Sequence, residues 1–235
     1  MSSLAHRRSL ESLALIAFVS ATYLFPVVTM AGLPPTFEGL TKVPSKRLAA
    51  VYLLPGADFS GYTKVMIDPV QVSFRPGWQK DMNMQRRGTS KISDSEAQEI
   101  AKAARTGFED IFAKAFKAKG YDVVTTPGSD VLRLSASIVN LYINAPDPMG
   151  SGATHTFTVQ AGEASLSLEA RDSTTGALLG VAVDRRDTRN TRQMNVTTSG
   201  SNRAEFEQMF KQWADICVKG LEELKARPQP RGKAQ

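Results

Sequence analysis

Chemistry at a protein site usually rests on a side chain that titrates near neutrality, or on a metal. This chain holds two histidines, His6 and His155, and one cysteine, Cys217. His155 stands in GATHTF, a loop-to-strand junction that suits a surface histidine. With so few soft ligands a zinc site would need several carboxylates, and none are clustered at ligand spacing. The sequence has no GxSxG, no phosphate-binding P-loop and no dinucleotide fingerprint. No cofactor, no metal and no catalytic residue is expected. Glu109–Asp110 and Glu222–Glu223 are adjacent pairs in helical patterns, where sequence neighbours point apart, so they read as surface charge. Asp172 opens the turn DSTTG, where an aspartate bonds its own backbone. Asp184 and Asp187 flank Arg185 and Arg186 and read as local charge pairing.

The stronger signal is basic. The stretch RPGWQKDMNMQRRGTSK carries Arg75, Lys80, Arg86, Arg87 and Lys91 around a single Asp81. The stretch RRDTRNTRQ carries Arg185, Arg186, Arg189 and Arg192. Each leaves a predicted strand and precedes a predicted helix. If those two strands run parallel, both loops emerge at one end of a sheet and make one positive edge, with Trp78 as an aromatic contact. Arginine forks on such an edge suit phosphate or carboxylate. The competing reading is two ordinary solvated loops, with Trp78 anchoring one of them.

The elements that must position these loops are legible as periodicities. Tyr62–Phe74 alternates as a strand, at an edge or bulged at Pro69, which cannot donate a ladder hydrogen bond. Ser93 and Glu96 have capping-box spacing, and an apolar stripe from Ala97 to Ala115 follows, closed by Gly120. Tyr121–Val124 is a short strand, PGSD at 127–130 a turn, and Leu132–Ile138 a half-buried strand. The stretch from Asn144 to Thr154 is a Pro- and Gly-rich loop. Ala164–Ala170 and Leu178–Arg186 alternate on either side of the Asp172–Gly176 turn, a hairpin signal. A second helix starts near Asn202 or Arg203 and lines up Phe206, Met209, Phe210, Trp213, Ile216, Cys217, Leu221 and Leu224. Phe108, Phe112, Phe210, Trp213 and Leu221 are the expected core. The order predicts an α+β two-layer sandwich: a mostly antiparallel sheet of about four or five strands with two long helices on one face.

Residues 1–31 have the three-part order of a signal peptide: Arg7 and Arg8, an apolar run from Leu13 to Val28, then Thr29 and Ala31 before a cut ahead of Gly32. The run is short for a membrane span and carries Pro26, so cleavage is preferred to a retained anchor. No later segment is apolar enough to cross a bilayer. Removing residues 1–31 removes Arg7, Arg8 and Glu11, taking 29 basic and 23 acidic residues to 27 and 22, a net +5. Export makes nucleic acid an unsuitable partner for that charge. Residues 32–61 read as an irregular segment, apart from a short strand within Leu48–Leu54. Residues 62–226 read as one α+β domain and 227–235 as a disordered basic tail.

VYLLPGADFSGYTKVMIDPVQVSF, PGSDVLRLSASI and EARDSTTGALLGVAVDRR resemble the bacterial domain-of-unknown-function family 3313. The PGxDxxxY stretch ending at Tyr62 and the hairpin with Asp172 and Gly176 carry the likeness. The resemblance implies a small, lipoprotein-like envelope protein and brings no catalytic residues with it. The chain departs from a lipoprotein in having no cysteine after the apolar run. The expected protein is a periplasmic or outer-envelope binding or accessory domain, non-catalytic, contacting an anionic envelope glycan or lipid or a partner protein. The alternatives are a carboxylate-based hydrolase centred on the Asn144–Thr154 region, and a structural subunit that self-assembles through the Tyr62–Phe74 strand.

Overall fold

A computed structural model describes residues 36–84, 86, 91–144, 156–158, 162–188, 195–197 and 199–227. The expected signal peptide, the basic tail from 228, His155 and most of the Asn144–Thr154 loop lie outside the described residues. The elements in chain order are β1 (Thr36–Phe37), β2 (Leu40–Val43), β3 (Ala50–Leu53), β4 (Lys64–Ile67), β5 (Gln71–Phe74), α1 (Trp78–Met84), α2 (Asp94–Ala118), β6 (Asp122–Val123), β7 (Val131–Ile143), β8 (Thr156–Thr158), β9 (Gly162–Asp172), β10 (Leu178–Asp187), β11 (Asn195–Thr197) and α3 (Ser199–Lys225).

The long strand β7 organises the sheet. Its apolar alternation through Leu132, Leu134, Ala136 and Ile138 is interrupted at Asn140, which takes φ 54°. Asparagine tolerates that left-handed geometry. The resulting register shift returns Leu141 and Ile143 to the buried face, so the strand runs five residues beyond its predicted end. One side of β7 pairs antiparallel with β9. The other side takes β4 and β5 end to end, both parallel to it. Pro69 falls in the break between them, so the predicted single strand is two, and neither is paired antiparallel. β6 then adds in parallel outside β4.

Among the described residues the main sheet has nine strands, ordered β1-β2-β3-β10-β9-β7-β4-β6 with β5 beside β7. It is mixed, with antiparallel pairings in the majority and β4, β5 and β6 added in parallel, and it is larger than the four or five strands expected from sequence. The segment 32–61, expected to be irregular apart from a strand within Leu48–Leu54, supplies three strands, of which β3 is the expected one. β3 joins through the register Tyr52↔Val181, and β2 and β1 follow it outward. β8 and β11 form a separate antiparallel pair.

The hairpin of β9 and β10 forms as its sequence predicts. So does the cap of α2: Ser93 Oγ accepts from Glu96 N, and Glu96 Oε2 accepts from Ser93 N at 2.8 Å. Gly120 closes that helix at φ 88°. α1 is a third, short helix inside a stretch read as loop. α2 and α3 pack against each other and cover one face of the sheet. Phe108 stacks on Phe112 at 4.0 Å and meets Phe210 edge-on at 5.4 Å. All five expected core residues are buried.

Candidate functional site

Strand direction decides whether the two basic loops meet. β5 is parallel to β7, β7 is antiparallel to β9, and β9 is antiparallel to β10. β5 and β10 therefore run the same way and end at the same edge of the sheet. Side chains bear this out. Glu163, at the start of β9, accepts from Arg185 Nη2 and lies 3.5 Å from Arg75 Nη1. Arg75 also lies over the ring of Tyr142, 3.9 Å from its centroid, and 3.8 Å from Asp81. A cation over an aromatic face is attracted by the ring quadrupole. The arginine at the end of β5 and the one at the end of β10 are thus held on one carboxylate.

The edge is built rigidly. Thr188 N donates to Gly162 O and Gly162 N to Thr188 Oγ1, both at 2.8 Å, locking the open end of the hairpin. A Cβ on Gly162 would fall 2.0 Å from Tyr142 O and 2.7 Å from Phe206 Cζ, so only glycine fits. Trp78 is 1 % exposed, stacks on Phe74 at 4.0 Å and donates from Nε1 to Ile143 O at 3.0 Å. It anchors the first loop from beneath and presents no ring to a ligand, which corrects its expected contact role.

The remaining predicted site residues divide three ways. Lys80 is exposed on α1, and Arg86 lies just beyond that helix, near enough to Glu96 to help lower its pKa after the Ser93 hydrogen bonds. Arg186 is turned away toward α3: it donates to Asp184 Oδ2 at 2.7 Å, Gln212 Oε1 at 3.0 Å and Arg47 O at 3.0 Å. Arg87, Arg189 and Arg192 lie outside the described residues. Sequence reasoning missed Glu163 and Tyr142. Neither has a motif, and only the strand register shows that they face the two loops.

The paired and turn carboxylates have structural tasks. Glu109 Oε1 accepts from Val70 N at 2.8 Å, tying α2 to the break between β4 and β5. Asp172 Oδ1 accepts from Thr174 N and Thr175 N, and Oδ2 from Tyr62 Oη at 2.8 Å. Those bonds, led by Thr175 N, hold Asp172 below the usual carboxylate range. Glu222 accepts from Tyr121 Oη and Glu223 from Arg47, so neither is simply solvated. Asp184, 6 % exposed, takes Trp213 Nε1 at 2.8 Å and Ala49 N at 3.1 Å. Cys217 packs against the core, and burial raises its thiol pKa to about 12. An open depression of about 460 Å³ lined by Lys117, Tyr121, Asp122 and Val124 lies beside β6, at the far end of the sheet from Glu163. Among the described residues no group of three or more His, Cys, Asp and Glu could hold a metal ion, and no helix is long and apolar enough to cross a membrane.

Fold and site together define a two-layer α+β protein with a large mixed sheet and with Arg75 and Arg185 brought together on Glu163 at one end of it. The chain belongs to the family DUF3313, described as a protein of unknown function, whose model matches residues 31–216. Comparison with curated proteins gives no match. Solved structures with a similar backbone include the PelC dodecamer from Paraburkholderia phytofirmans, 14 % identical with a TM-score of 0.36, over 76 % of this chain and 98 % of that one. Another is protein XCC0632 from Xanthomonas campestris, 12 % identical with a TM-score of 0.40, over 69 % and 85 % of the two chains.

Proposed function

We propose that this protein is exported and acts in the cell envelope as a non-catalytic binding or accessory protein. Its contact edge is the end of the sheet where β5 and β10 finish, and its ligand is an anionic envelope component. The observation that carries this reading is the junction at Glu163, where one carboxylate holds both Arg75 and Arg185. The two sequence-remote stretches carry nine basic residues, of which Arg186 turns away to Asp184, against Asp81, Asp187 and Glu163 itself. The signal-peptide order of residues 1–31 supports export. A concentrated positive edge draws polyanions at long range.

The test is binding of the exported protein to a soluble polyanion, dextran sulfate, and to anionic vesicles across a salt series. Charge reversal at Arg86, Arg87, Arg189 and Arg192 should remove most of the binding. It should leave stability within about 0.5 kcal/mol, as surface changes usually do. Binding by the parent chain should fall steeply with salt, because exposed charges are screened over about 8 Å at physiological strength. Binding that survives both charge reversal and high salt, or no binding of either probe, overturns the reading.

A further inference from the structure

Among the described residues, two large hydrophobic side chains stand exposed, Leu54 at 36 % and Met84 at 76 %. Met84 ends α1, beside the first basic loop. No acidic residue occurs between Asp81 and Asp94, while Arg86, Arg87 and Lys91 do. The feet of this loop are clamped. Ile92 N donates to Asn83 Oδ1 at 2.7 Å, and Asn83 Nδ2 donates back to Ile92 O at 2.9 Å. Gln79 Nε2 adds bonds to Ile92 O at 3.1 Å and Asp94 Oδ1 at 2.8 Å. Trp78 and Ile92, 1 % and 3 % exposed, bury the two feet in the core. Two buried anchors and four side-chain hydrogen bonds thus fix the feet of this stretch, with the exposed Met84 next to the clamped Asn83 and with Asp81 and Glu96 as the nearby acidic residues.

We infer that Met84, in a stretch that also carries Lys80, Arg86 and Lys91, is a membrane-contact point that inserts its thioether side chain into the interface of an anionic lipid surface. The inference rests on the proposed basic edge and narrows its ligand to a lipid. An anionic glycan would satisfy the cations alone and leave the methionine without a partner. A lipid interface takes both, with headgroups for the basic residues and the acyl boundary for an unbranched, flexible apolar chain. Each basic residue near such a surface adds to the attraction.

The test compares the exported protein with its Met84→Ser and Met84→Trp variants on vesicles of phosphatidylcholine, vesicles containing phosphatidylglycerol, and dextran sulfate. Met84→Ser should weaken binding to the phosphatidylglycerol vesicles about tenfold, the effect of losing part of one buried methionine side chain, and leave dextran sulfate binding unchanged. Met84→Trp should bind at least as well, and its new indole should be quenched by lipids brominated in their acyl chains. The native Trp78 and Trp213 are 1 % and 0 % exposed and supply a quiet background. Any lipid contact by the N-terminal apolar segment is common to all variants and shows on neutral vesicles. Unchanged vesicle binding by Met84→Ser with no quenching overturns the lipid assignment and leaves the basic edge standing. Binding to dextran sulfate without binding to anionic vesicles does the same. Failure to bind either probe overturns both readings.

Discussion

Tyr62 and Asp172 belong to the two sequence stretches that carry the family likeness, and the structure joins them by one hydrogen bond of 2.8 Å. The motif is therefore a clasp between the start of β4 and the hairpin turn. Burial first, then the bond to Asp172 and its charge, raise the Tyr62 pKa to about 12. A folded-state pKa above the unfolded value of about 10 means that stability from this group is complete below pH 10. It is lost as pH rises through 12. Asp172 has the opposite sign: its pKa is lowered, so its contribution is present above the ordinary carboxylate range and lost in acid. Asp172→Asn should bring the Tyr62 midpoint down, though not fully, because burial is the larger cause. The difference in tyrosinate absorbance between variant and parent during alkaline titration reads this directly. An unchanged midpoint would show that the clasp does not form in solution.

At the scale of elements, the open end of the β9–β10 hairpin is where the site depends most on geometry. Gly162→Ala places a methyl group against the Tyr142 carbonyl and the Phe206 ring. Overpacking of this kind costs about 1–3 kcal/mol, and a fixed backbone atom as neighbour puts the change at the upper end. A chemical-denaturation midpoint indistinguishable from the parent would show that the hairpin end is looser than described. The hairpin, the capping box of α2 and the aromatic stripes of α2 and α3 were legible in the sequence because each is a local, strictly periodic signal. The continuation of β7 was not, because the bulge at Asn140 breaks the alternation that would announce it. β2 is four residues, too short for alternation to stand out among prolines and glycines, whereas β3 falls inside the strand expected within Leu48–Leu54. The parallel pairing of β4 and β5 has no local signature either. The two basic loops were legible as composition, and the condition for their meeting followed from strand direction. Trp78 was ambiguous by type alone, since tryptophan serves equally as a core anchor and a ligand platform.

For the molecule as a whole, export is the premise on which compartment and partner depend. Thr29 and Ala31 occupy the −3 and −1 positions of the expected cut. The double variant Thr29→Arg, Ala31→Arg should block processing and hold the precursor at the membrane, seen as a larger species on fractionation and mass analysis. A parent chain found only at full length would replace the cleaved form with an anchored one. The sheet carries a further consequence, in the order of synthesis. β3 emerges from the ribosome long before β10, yet β10 is the strand that ties β3 to the rest of the sheet, and Ala49 reaches Asp184 across 135 positions. Closing so distant a pair is entropically costly, and sheets built from such pairings fold in about milliseconds to seconds. Until β10 arrives, β3 has unpaired donors and acceptors along its edge. The nascent chain therefore has a window in which that edge of β3 is open to pairing with another chain.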